Sequence, residues 1–139
     1  MNKVQYDDLI GCPYLKHTAG PVTYDCVGVV REVYARAGWS VDAIPTAANE
    51  AACLASIGGE ASGLPWDPVD AVTGGTVTGQ LAFGDIVMIH GNGATHVSVV
   101  VDESRQLAIS SAGHMGVYAC GASRLSRVAA VYRLQESAR

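Results

Sequence analysis

The chain has 139 residues, the length of one domain able to bury a core, and its 49% apolar and 16% charged residues exclude a disordered chain. A net charge of −4 excludes the basic footprint of a nucleic-acid binder and offers no attraction to an anionic membrane or cell wall. The four cysteines, Cys12, Cys26, Cys53 and Cys120, form no C-x-x-C pair and no zinc-ligand spacing, so they read as free thiols made in a reducing compartment. Residues 1–10 carry Lys3, Asp7 and Asp8 and no long apolar run, so no secretory signal is expected, and no run reaches the length of a membrane span.

In chain order, residues 1–10 predict a short helix with Val4, Leu9 and Ile10 turned inward, ending at Gly11. Gly11-Cys12-Pro13-Tyr14-Leu15 then leads into a loop over 16–23 containing His17, Gly20 and Pro21. Proline and glycine make this a rigid connector that delivers Tyr14 close to the next helix. Tyr14 reads equally as core or as a site residue, and His17 as a solvated loop residue.

That next helix organises the chain. Val27, Val30, Val33, Tyr34 and Ala37 follow the three-and-four spacing of a helix with one buried face, and Gly38 is a natural stop. Asp25 is a good N-cap, its carboxylate accepting the N–H groups of the first turn. Cys26 then lies at the positive end of the helix dipole, where a thiolate is favoured, the setting a nucleophilic cysteine needs. The plain alternative is a small buried cysteine packed like alanine.

Residues 39–45 form a connector, and Thr46 caps a second helix over 47–57, ended by Gly58-Gly59, in which Cys53 packs. Residues 60–80 read as a long surface loop with turn signals at Pro65-Trp66-Asp67-Pro68 and Gly74-Gly75, and Trp66 is expected to pin it, the alternative being the wall of a substrate groove. The second half reads as strands: 85–90, 96–101, 106–110, a short piece at Val117-Tyr118, and 128–134. Short turns between neighbours imply an antiparallel sheet of about five strands, so the fold class is α+β, with N-terminal helices packed on a C-terminal sheet. Alternation places Val97, Val99 and Val101 on the core side and His96 and Ser98 on the other, with Gln106, Ala108 and Ser110 sharing the His96 side.

Gly11-Cys12-Pro13-Tyr14, Tyr24-Asp25-Cys26-Val27-Gly28-Val29-Val30, Pro45-Thr46-Ala47-Ala48, Gly84-Asp85-Ile86-Val87 and Thr95-His96-Val97-Ser98-Val99-Val100 occur in this order. Together they resemble the NlpC-type, papain-like cysteine peptidases that cut peptidoglycan stem peptides. Ser123-Arg124-Leu125 and Val131-Tyr132-Arg133 resemble the ends of phage-tail members. The resemblance runs over the whole of 1–139 as one peptidase domain. It implies Cys26 as nucleophile, His96 as general base, Tyr14 as a hydroxyl holding the oxyanion, and Asp25 as a substrate-binding neighbour.

Two positions depart from the family pattern. Val27 stands where serine is usual, and the next strand, Gln106-Leu107-Ala108-Ile109-Ser110-Ser111, lacks the histidine that orients the base. Ungapped alignment places Ala108 there, and two extra turn residues place Ser110 there. Ser110 is preferred because it shares the His96 face and accepts a hydrogen bond. Gln106, a backbone carbonyl and His114 are the alternatives.

The resemblance implies a peptidoglycan endopeptidase that cuts a stem-peptide amide, by family habit the bond between D-glutamate and the diamino acid, with no cofactor and no metal. A metal set of Cys12, Cys26, His17 and His96 lacks ligand spacing. The expected partners are peptidoglycan stem peptides, with phage-tail proteins or an immunity protein, and neither nucleic acid nor membrane. Made in the cytoplasm, the protein would act in the cell wall or periplasm after delivery by a tail-like machine or as an injected amidase effector. An acyltransferase and an inactive structural tail protein of the same fold are the other classes; the last expects a buried, unreactive Cys26.

Overall fold

The computed structural model describes residues 4–16, 18–39, 66–91 and 94–139. Its one α-helix among these residues, α1 (Cys26–Arg36), begins with the Asp25 carboxylate accepting the Gly28 N–H at 2.6 Å. It ends as the sequence requires: Gly38 takes a φ of 75°, Trp39 N–H donates to the Tyr34 carbonyl, and Gly38 N–H donates to that of Ala35. This pair of bonds satisfies the last carbonyls of the helix in a Schellman closure.

Among the described residues eight strands follow: β1 (Trp66–Pro68), β2 (Val72–Thr73), β3 (Thr76–Val77), β4 (Ile86–Gly91), β5 (Ala94–Asp102), β6 (Leu107–Ala112), β7 (Gly116–Gly121) and β8 (Val128–Leu134). Six form an antiparallel sheet in the order β1-β8-β4-β5-β6-β7, and β2 and β3 form a separate hairpin. The fold is α+β, as expected, with six strands in the sheet where about five were expected.

Three expectations are corrected. The stretch 66–80, read as loop, supplies β1 and the β2–β3 hairpin, whose turn is Gly74-Gly75. The edge position of β1 tolerates its proline, and three residues are too few to show a period. Within the described part of 1–10 there is no helix. Leu9 N–H, Ile10 N–H and Cys12 N–H each bond a carbonyl three residues back, giving successive turns. Arg36 holds these turns from outside, reaching the Gln5 carbonyl at 2.8 Å and both Asp8 oxygens at 2.7 and 2.9 Å. Leu9 is buried as expected, but Ile10 is exposed. The helix expected over 47–57, with Cys53, lies outside the described residues, as do His17 and residues 60–65.

Both faces of the sheet are buried. Val97, Val99, Val101, Ile109 and Val117 pack with Val27, Val29, Val30 and Val33 of α1. Val100 and Ala108 pack on the other side with Val87, Leu125, Val131 and the hairpin residue Val77. Covering on both sides explains the unbroken run Val99-Val100-Val101. Val29 joins the buried face of α1 for the same reason: α1 is enclosed beyond the single stripe its spacing suggested.

Aromatic rings fix where α1 lies. Tyr34 packs on Trp39 and Trp66 at ring distances of 5.0 and 6.1 Å, Trp39 meets Phe83 edge-on, and Tyr34 Oη donates to the Gly84 carbonyl at 2.6 Å. Trp66 is thus a pin, as expected. The adjoining Asp85 is fully buried, accepting from Arg133 Nε and Nη2 at 2.8 Å each and from Ala82 N–H at 2.8 Å. Asp85→Ala strands that N–H and one side of the guanidinium. Because Arg133 reaches solvent, the expected loss is about 2–4 kcal/mol rather than the full cost of a sealed pair, read by urea unfolding.

Tyr34 resists ionisation, first because it is buried and then because Asp85 lies near it, and burial likewise raises Tyr24 and Tyr118 above the ordinary value. In the unfolded chain these phenols ionise near the ordinary value of about 10. Stability held by the neutral phenols is therefore fully present below about pH 10 and is lost as pH rises from there toward the folded-state values. Urea midpoints should hold steady up to about pH 9.5 and fall above about pH 10, and Tyr34→Phe should flatten the decline; an unchanged slope would count against it.

Candidate active site

Cys26 is the first residue of α1, 1% exposed, and follows the fully buried cap Asp25. The segment leading to it is tied down at several points. Tyr24 N–H donates to the Pro13 carbonyl and Asp25 N–H to that of Thr18, both at 3.0 Å. Gly11 and Cys12 exchange backbone bonds with Val117, so the segment 11–24 is anchored to the edge strand β7 and returns across the start of α1. Gly28 makes this approach possible: a methyl group there would overlap the Thr18 carbonyl oxygen. Tyr14 lies half-buried on this segment, between the anchors at Cys12 and Thr18.

His96 is half-buried on β5, opposite Ile89 of β4. Its Nε2 lies 2.7 Å from Ser110 Oγ on β6. The direction of that bond follows from counting protons. Ser110 has one hydroxyl proton and donates it to the Val97 carbonyl, which can only accept. Toward His96 the serine oxygen is therefore the acceptor, and neutral His96 carries its proton on Nε2. The basic lone pair is then on Nδ1.

The next residue along β6 serves the cysteine. Ser111, also fully buried, donates its hydroxyl to the Tyr24 carbonyl at 2.7 Å, two residues before Cys26. Adjacent serines on one strand thus hold the imidazole and the chain entering α1, and α1 itself packs on β5 and β6. Neither the Ser111 bond nor Tyr118, whose hydroxyl is 3.4 Å from His96 Nε2, was identified from the sequence. The signal for Tyr118 is the three-residue turn 113–115, which pairs it with Ser110 across the β6–β7 hairpin.

The other candidates are placed elsewhere. The Gln106 side chain bonds the Leu81 N–H and carbonyl and the Glu103 carbonyl, and its φ of 52° puts it in the turn before β6. Its expected place on the strand face beside His96 is therefore corrected. Ala108 opposes Val100 and packs in the second core. His114 is exposed in the turn after β6. The Asp25 carboxylate is engaged at the helix N-terminus. Among the described residues no group of three His, Cys, Asp or Glu side chains could hold a metal ion, and no helix is long and apolar enough to cross a membrane.

A thiol at a helix N-terminus and an imidazole held by a hydroxyl are groups of the kind from which cysteine nucleophiles and their bases are built. No protein-family model and no curated protein matches the sequence. Solved structures similar to it include NlpC2 of Trichomonas vaginalis, 17% identical with a TM-score of 0.58, and NlpC1 of the same organism, 16% identical with a TM-score of 0.57. Each alignment covers 89% of this chain, which spans only 42% and 39% of those two chains. What is shared at these identities is the backbone architecture: the chain has an NlpC-type fold.

Proposed function

We propose that the protein is a cysteine peptidase that hydrolyses an amide in peptidoglycan stem peptides, the D-glutamyl–diamino acid bond being the first candidate. The observation that carries this reading is the His96–Ser110 pair on the strands against which α1 packs, with Cys26 as the first residue of α1. His96 Nδ1 takes the Cys26 proton, and the thiolate attacks the carbonyl carbon. First-turn N–H groups and Tyr14 hold the resulting oxyanion. The C–N bond breaks as His96 returns the proton to the leaving amine. Water, giving a proton to His96, then attacks the thioester and releases the acid and the free thiol. Asp25, buried with its carboxylate on the Gly28 N–H, holds the first turn of α1 that carries Cys26.

A net charge of −4, which gives no attraction to an anionic wall, fits an enzyme that is delivered to the wall, by a phage tail or as an injected effector. Purified peptidoglycan and defined muropeptides digested by the protein and by Cys26→Ala, read by mass spectrometry, test the proposal. Fragments from the wild type alone support it and identify the bond. Absence of fragments from both sinks it. A second reading, a structural tail protein that keeps this fold without activity, is favoured by the near-complete burial of Cys26.

A further inference from the structure

Two hydroxyl oxygens, not one, lie near the protonated nitrogen of His96. Ser110 Oγ is 2.7 Å from Nε2 and Tyr118 Oη is 3.4 Å from it. Ser110 and Tyr118 are directly opposed on β6 and β7, so their side chains leave the same face of the sheet side by side. Burial first and then Cys120 raise the Tyr118 hydroxyl above the ordinary phenol value, the Ser110 contact pulls the other way, and Cys26 adds a smaller rise. With its one proton on the Val97 carbonyl, Ser110 offers a lone pair to His96 N–H.

We infer that Tyr118 is a positioning residue for His96, forming with Ser110 a composite hydroxyl acceptor in place of a single orienting side chain. The inference rests on the peptidase reading and deepens it. An imidazole turns about a broad, roughly two-fold torsion, so something must hold Nδ1 toward the thiol. A lone neutral hydroxyl is a weaker hold than a charged partner. Two adjacent hydroxyls make the hold redundant. Without Ser110 the Tyr118 oxygen can close on Nε2–H, and without the Tyr118 hydroxyl Ser110 remains. Loss of both removes the two hydroxyl oxygens seen beside Nε2.

The test compares the wild type, Ser110→Ala, Tyr118→Phe and the double variant by ring-nitrogen NMR of His96 and by muropeptide hydrolysis. The wild type and both single variants are expected to keep the Nε2–H tautomer. Each single change should lower kcat about three- to tenfold with KM unchanged. The double variant should show mixed tautomers and a fall of about a hundredfold or more, beyond the product of the singles and within the range of a lost general base. Should the double alanine–phenylalanine variant unfold, Ser110→Cys with Tyr118→Phe keeps the volume while supplying a poor acceptor. The inference is overturned when Tyr118→Phe in the Ser110→Ala background changes neither the tautomer nor kcat. The NMR readout does not need hydrolysis. A wild type that cuts nothing, with the tautomers behaving as described, would refute the peptidase and leave the Tyr118 assignment standing.

Discussion

Cys26→Ala is expected to abolish stem-peptide hydrolysis, with a fall in kcat on the order of a millionfold, as for loss of other covalent nucleophiles. The size follows from the chemistry. Alanine leaves the helix N-terminus, Tyr14 and His96 in place, but the reaction loses the atom that forms the thioester. KM should change little, because the remaining contacts to the substrate are not made by the sulfur. Stability should also change little, by about 1–2 kcal/mol, since a small side chain is replaced by one slightly smaller in the closed first turn of α1. A structural tail protein would show that same small stability change and no hydrolysis before or after. Equal hydrolysis by both forms would place the chemistry elsewhere in the chain.

Gly28→Ala is the second large effect, and its sign is informative. In an open helix this change stabilises by up to about 1 kcal/mol, because alanine is the better helix former. Here the new methyl meets the Thr18 carbonyl, a backbone atom that cannot turn aside. Thr18 also accepts from Asp25 N–H, so moving it loosens the cap residue and the segment bearing Tyr14. The expected outcome is a net destabilisation of about 2–3 kcal/mol in urea unfolding, with hydrolysis falling more than stability alone accounts for. A more stable variant with normal activity would show that the segment 11–24 does not need its close seat on α1.

Much of this was legible in the sequence because it rests on local rules. The α1 stripe, its Asp25 cap and its Gly38 stop are each set by residues within a few positions of one another, and all three are present. The strands announced themselves by valine-rich runs between turns, and the Gly74-Gly75 signal marks a real hairpin turn. Alternation put Ser110 on the His96 side with Gln106 and Ala108, the resemblance with two extra turn residues singled it out, and a 2.7 Å contact joins it to His96. What failed depends on distant partners. The turns near the N-terminus are held by Arg36, about thirty positions on, and no pattern within ten residues contains that information. β1 is too short to show alternation and exists because β8 offers an edge. Gln106 has the right parity for the His96 face, but a left-handed backbone turns it toward Leu81 instead. Tyr118 and Ser111 needed the register of β6 against β7 and the path of the chain before α1.

The most direct test of the central claim, that Cys26 is a nucleophile rather than a packing residue, is alkylation of the native protein with iodoacetamide at about pH 6, where an ordinary thiol near 8.5 is almost wholly protonated. Peptide mapping by mass spectrometry would follow Cys12, Cys26, Cys53 and Cys120 together. Cys26 is expected to be modified first despite its burial, with hydrolysis lost in proportion to labelling, and His96→Ala should remove that preference. Labelling of the more exposed Cys12 and Cys120 while Cys26 stays untouched would contradict the claim and favour a structural protein with an NlpC-type fold.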